Sequence, residues 1–224
     1  MPAQGRTHMG RMPQEALPPV VRGFEGIQRF WDAATEHWTA KVLPGEYYVT
    51  RNDEVIATVL GSCISACIRD PAAGVGGMNH FMLPQDGGGS GANRWLEPGT
   101  GLATRYGTHA MESLINELLK LGADRDRFEI KLFGAGRILA SVTDVGARNI
   151  AFVRHYLAVE GLSALAEDLG DIYPRRLAYF PATGTVRVRR LRPLEATSIA
   201  ERERRYLADI GARGDGGEVE LFTS

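Results

Sequence analysis

Cys63 and His80 lie in one largely apolar stretch, TVLGSCISACIRDPAAGVGGMNHFMLP, at residues 58–84. A cysteine nucleophile needs a base or an electropositive site to form its thiolate, and a histidine within hydrogen-bond reach can act first as base and then as acid. Gly61 permits unusual backbone geometry just before the cysteine, and the N–H groups around Ser62 and Cys63 could face a developing oxyanion. Spacing alone leaves a core role open as well, because free cysteine behaves as a small hydrophobe. Cys67 reads as core. It lies four residues from Cys63, roughly 13 Å away along an extended chain, beyond disulfide reach.

The elements around this pair read as alternating strands and helices. Residues 47–50 and 55–60 are enriched in β-branched and aromatic side chains and are separated by the turn-prone Arg51, Asn52 and Asp53. Residues 64–68 continue extended, the chain turns at Asp70, Pro71 and Gly74, and residues 76–83 return as a strand carrying His80. Two neighbouring strands would then present Cys63 and His80 together. The spacing predicts helices over 104–122 and 144–161, the second capped by Asp144 and ended by Gly161. Residues 128–133 read as a strand, and 176–180 and 185–191 as a hairpin. The order of elements favours an α+β fold.

The flanks carry different signals. Residues 1–22 read as a flexible extension, and the apolar spacing over 24–38 fits a short amphipathic helix, giving an N-terminal extension of residues 1–42. Residues 43–195 form the main domain. The tail, 196–224, reads as a charged helix from about 198 to 210, a linker and a short strand at 219–222, its charge indicating a solvated face. Residues 85–101 form a Gly-rich loop of a length associated with lids and substrate lips.

Composition excludes several classes of function. With 26 Lys plus Arg against 27 Asp plus Glu, no overall field would draw the chain to nucleic acid or an acidic membrane. No apolar run is long enough to span a bilayer, and the N-terminal residues lack a secretory pattern, so direct membrane insertion is not expected and the cytoplasm is the default. GxGxxG, GK[ST] and GxSxG are absent, which argues against a nucleotide site and a serine hydrolase. His8, His37, His109 and His155 read as surface or structural histidines. No Cys/His cluster has zinc spacing.

At LGSCISACIRDP and GGMNHFMLP the chain resembles the chemoreceptor glutamine deamidase CheD family. The resemblance continues through RYGTHAMESLINELLKLGA, KLFGAG, VGARNIAFVRHYL and EDLGDIYPRRLAYFPATGTVRVRRL, covering roughly residues 43–195. It implies a three-layer α/β/β sandwich, a single catalytic domain with N- and C-terminal extensions. Its nucleophile maps onto Cys63 and its base onto His80, and Thr58 is the nearest match to a threonine that orients the histidine. Thr58 and Cys63 would point to opposite faces of a regular strand, so that role requires a bulge or turn near Gly61. GAGR stands where the family more often has paired glycines and is assigned no catalytic role. The implied reaction is hydrolysis of selected glutamine side chains on methyl-accepting chemotaxis receptors, through a thioester and with no cofactor or metal. The implied partners are the receptors' cytoplasmic helices and a CheC-type phosphatase. A noncatalytic module docking on either partner is the alternative. Met78, Phe81 and Met82 are candidates for an apolar lip, with core packing the rival role.

Overall fold

The computed structural model describes residues 16–84, 102–138 and 144–214. One sheet takes β1 (Gln28–Asp32), β2 (His37–Lys41), β4 (Val55–Leu60), β9 (Arg175–Phe180) and β10 (Thr185–Arg190), in that spatial order. The second takes β3 (Tyr47–Thr50), β6 (Val75–Asn79), β5 (Ile64–Asp70), β7 (Glu129–Gly134) and β8 (Ala164–Leu169), again in spatial order. Helices α1 (Leu102–Lys120) and α2 (Val145–Val159) pack on the second sheet, and α3 (Pro193–Gly214) follows β10. The protein is therefore α+β. No described helix is long and apolar enough to cross a membrane.

The strands at the centre are the most apolar. In β5 every residue except Arg69 is buried, as expected of a strand covered on both faces. It pairs antiparallel with β6 on one side and β7 on the other. Gly76 and Gly77 in β6 leave room for close packing: a Cβ at Gly77 would come 2.6 Å from the Tyr48 carbonyl oxygen and 2.7 Å from Leu114. Helix α2 begins as expected, with the Asp144 carboxylate accepting from the Ala147 N–H at 3.0 Å, and Gly161 turns the chain beyond it with φ of 66°.

One expected helix is absent. Residues 24–38 form not an amphipathic helix but most of a hairpin, β1 to β2, with Glu36 in its turn at φ 55° and Trp31 edge-on to Trp38 across the strands. Aromatic residues satisfy both helical and strand spacing over so short a segment. Pairing decides between them: β2 lies parallel to β4 through Thr39, Ala40 and Lys41, so the hairpin completes the first sheet. Strand β8, parallel to β7, has mostly partly buried or exposed residues and gave no alternating signal. The Gly-rich stretch 85–101 and the expected strand at 219–222 lie outside the described residues.

Candidate active site

The two sheets meet at the candidate nucleophile. Strand β4 ends at Leu60 in the first sheet and β5 begins at Ile64 in the second, so Gly61, Ser62 and Cys63 form the crossing between them. Side-chain alternation along β4 does not carry through this crossing. Thr58 and Cys63 can thus serve one site, as the turn expected near Gly61 requires.

His80 sits one residue past β6, where the expected strand 76–83 stops short. Its backbone is held by the segment before β3: the His80 N–H donates to the Glu46 carbonyl at 2.9 Å and its own carbonyl accepts from Gly45 at 2.7 Å. Ile64 and Phe81 exchange both backbone hydrogen bonds, at 2.9 and 3.0 Å, continuing the β5–β6 register. In that register Cys63 and His80 are diagonal neighbours on one face.

Hydrogen bonding fixes the protonation of the His80 ring. The Thr58 hydroxyl lies 2.7 Å from the Val42 carbonyl oxygen, which can only accept, so its single proton goes there. The 2.8 Å bond between Thr58 Oγ1 and His80 Nδ1 then has the ring N–H as donor. The neutral ring therefore keeps its lone pair on Nε2, which is buried without a hydrogen-bond partner among the described residues. Burial pushes the His80 pKa down, outweighing the opposing pull of a nearby carboxylate.

That carboxylate is Glu203, from α3. Its Oε1 accepts from the backbone N–H groups of Gly61 at 2.8 Å and Cys63 at 3.3 Å, and its Oε2 from the Ser62 N–H at 2.8 Å and the Ser62 hydroxyl at 2.7 Å. One ligating atom each from Cys63, His80 and Glu203 lies within 4.8 Å of the others, and all three residues are buried. Burial first, and the Glu203 charge second, raise the Cys63 thiol well above its ordinary pKa. Sulfur, nitrogen and oxygen at this spacing could also hold a divalent cation. Each Glu203 oxygen, however, already accepts two hydrogen bonds from residues 61–63.

The crossing is braced from behind by residues with no sequence signal for such a role. Ala135 N–H donates to the Cys63 carbonyl at 2.6 Å and Gly136 N–H to the Gly61 carbonyl at 2.7 Å. With those carbonyls turned inward, three N–H groups converge on the other side. Gly134, at φ 110°, lets β7 approach the Cys63 carbonyl so closely that a Cβ would collide with it. From α2, the fully buried Asn149 donates to the Ser62 carbonyl at 2.7 Å and accepts from the Leu83 N–H at 3.0 Å. One amide thus ties the cysteine crossing to the histidine segment. A cavity of about 330 Å³ lies beside His80 and Thr58, bounded also by Val42, Pro44 and Arg202.

Residues 82–190 match the family model described as CheD chemotactic sensory transduction. The chain is 50% identical over 206 residues to the probable chemoreceptor glutamine deamidase CheD of Halorhodospira halophila, covering 92% of this chain and 94% of that protein. It is 51% identical to the corresponding protein of Hydrogenovibrio crunogenus, over 88% of this chain and 100% of that one, and 48% identical to that of Saccharophagus degradans, over 92% and 94%. This chain belongs to the CheD family. Within this CheD-family site, Met78, Phe81 and Met82 are fully buried core residues and do not form an exposed lip. Cys63 and Cys67 are both free thiols, as their spacing requires.

Proposed function

We propose that this CheD-family protein hydrolyses the side-chain amide of selected glutamines on chemoreceptor helices, with Cys63 as nucleophile, His80 as base and acid, and Thr58 as the residue positioning His80. The observation that carries this reading is the hydrogen-bond chain from His80 Nδ1–H through Thr58 to the Val42 carbonyl, which leaves Nε2 free to take a proton. Nε2 accepts the Cys63 proton as sulfur attacks the glutamine Cδ. The tetrahedral oxyanion is held by N–H groups of residues 61–63, which already hold a carboxylate. The C–N bond breaks as protonated His80 donates to the departing ammonia. Water then attacks the thioester, His80 takes its proton, and the glutamate leaves as the thiol re-forms.

The substrate would be the cytoplasmic helices of methyl-accepting receptors, where each conversion adds a negative charge. Recruitment to receptor arrays, and docking on a CheC-type phosphatase, belong to the same reading. So does a three-layer α/β/β arrangement of helices α1 and α2 over the two sheets, with residues 43–195 as the catalytic unit. The buried state of Cys63 gives the noncatalytic alternative its best support, since no substrate reaches a sealed thiol. Mass spectrometry of receptor fragments incubated with purified protein separates the two. Glutamine-to-glutamate conversion is expected with the wild type and not with Cys63→Ala. Equal conversion by both would remove the mechanism, and binding without conversion would favour the module.

A further inference from the structure

The group that seals Cys63 has the chemical form of a reaction product. The proposed substrate is a glutamine on a helix and its product is a glutamate on a helix. Helix α3 places a glutamate side chain against the nucleophile, with both carboxylate oxygens on the N–H groups of residues 61–63. Glu203 is 1% exposed although three of its helical neighbours, Arg202, Arg204 and Arg205, are basic. A carboxylate is buried only where its charge is satisfied. Here the four donors around it are the parts an amide hydrolase would use for an oxyanion.

The surface under α3 is shaped for a helix. Ile199, Ala200 and Ile210 are buried with Glu203, and Tyr206 and Leu207 pack on the core, a spacing that defines one helical face. Two glycines floor the groove. A Cβ on Gly61 would come 2.7 Å from Glu203 Oε2, and one on Gly45 would come 2.7 Å from the Tyr206 hydroxyl. Gly61 does not have a positive φ, so space and not backbone conformation accounts for glycine there: a Cβ would come 2.1 Å from Ile138 Cδ1 as well as meeting the carboxylate. The Tyr206 hydroxyl also meets that of Tyr106 at the start of α1.

We propose that α3 is an intramolecular product mimic: Glu203 occupies the position of the newly formed glutamate, and the groove beneath α3 is the docking surface for the receptor helix that carries the substrate glutamine. This rests on the deamidase reading above. The receptor helix must displace α3, and it is recognised by the features α3 shows: small or apolar residues three and four positions before the reacting side chain and three, four and seven after it. The reaction on a seated amide would follow the same balance, with the C–N bond broken, ammonia released and a C–S bond formed and then hydrolysed.

The test uses the full chain. In Glu203→Gln the seated helix presents an amide to Cys63, and intact-mass measurement with peptide mapping is expected to show ammonia lost at position 203, as the restored acid or as a thioester to Cys63. Glu203→Gln combined with Cys63→Ala should keep the amide. Retention of the amide in a Glu203→Gln protein whose thermal transition is unchanged would overturn the product mimicry. A second variant, Glu203→Ala, reads the occlusion: it removes four hydrogen bonds to the carboxylate, so Cys63 alkylation by iodoacetamide should accelerate at least roughly tenfold, the effect of losing even one charge-assisted hydrogen bond, and receptor-fragment conversion should rise with it. Alkylation at the wild-type rate would overturn the occlusion. Receptor conversion by wild type and Glu203→Ala without conversion at position 203 removes the mimic and leaves the deamidase reading. Conversion of neither removes that reading itself.

Discussion

Thr58 has one hydroxyl and two jobs, accepting from the His80 ring and donating to the Val42 carbonyl. In Thr58→Ala nothing fixes the tautomer, and the proton can move to Nε2, where the ring cannot act as base. The expected result is a roughly 10- to 100-fold fall in kcat for receptor-fragment deamidation, at or below the lower end of the roughly 100- to 10,000-fold that general acid–base catalysis supplies, because His80 itself is still present. Thr58→Ser, which keeps the oxygen, should recover most of it. Full activity in a folded Thr58→Ala protein would remove the positioning role. The cysteine and histidine were legible in the sequence because their chemistry needs only two residue types near one another. Thr58 was harder, since strand alternation put it on the wrong face, and only the end of β4 at Leu60 removes that objection. Glu203 was illegible. Among ERERRYLAD it is one charge in a charged helix, and nothing in the pattern marks it as the charge that faces inward.

At the scale of elements, α2 acts on the site through Asn149, whose amide spans the Ser62 carbonyl and the Leu83 N–H. Asn149→Ala strands two buried backbone groups and should lower stability by about 2–6 kcal/mol, at roughly 1–3 kcal/mol for each unsatisfied group. It should also lower kcat, because the crossing and the histidine segment lose their common tie. Urea unfolding and deamidation kinetics on the same preparation check both, and loss of stability with unchanged kcat would confine Asn149 to a structural role. Helix α2 itself was readable from its periodicity, its Asp144 cap and Gly161. The hairpin β1–β2 was not, because the apolar positions 24, 27, 30, 31, 34 and 38 suit a short helix or a pair of strands alike until a partner strand is known. Parallel pairing with β4 is a nonlocal fact that residues 24–38 do not contain. The same holds for β8, a partly exposed edge strand that owes its conformation to β7.

Across the whole molecule, the second sheet is tied to the connection between α1 and β7 by one buried carboxylate. Asp70, at the end of β5, accepts from the Arg127 guanidinium at 2.7 Å, from the Asp124 N–H at 2.8 Å and from the Ala72 and Ala73 N–H groups at 2.9 and 3.1 Å. The Arg127 hydrogen bond is the first cause, with those N–H groups, of a carboxyl pKa held well below the usual range despite its burial. A carboxylate with a depressed folded-state pKa contributes stability that is complete above the unfolded value of about 4 and is lost as pH falls through the folded value. Stability should therefore decline below about pH 4 in part because the Asp70 clasp must take up a proton. Asp70→Asn makes this clasp neutral at every pH. The urea midpoint at pH 6 should fall, by an amount equivalent to about 2 kcal/mol for weakened charge-assisted bonds, and the further fall on going from pH 6 to pH 3 should be smaller than in the wild type. Asp70 lies far along β5 from Cys63, so receptor-fragment conversion at pH 7 should survive the change as long as the chain stays folded. An Asp70→Asn midpoint with the wild-type pH dependence would show that other carboxylates govern acid unfolding, and that the bond network at the end of β5 does not tie the sheet to the rest of the protein in the way its geometry requires.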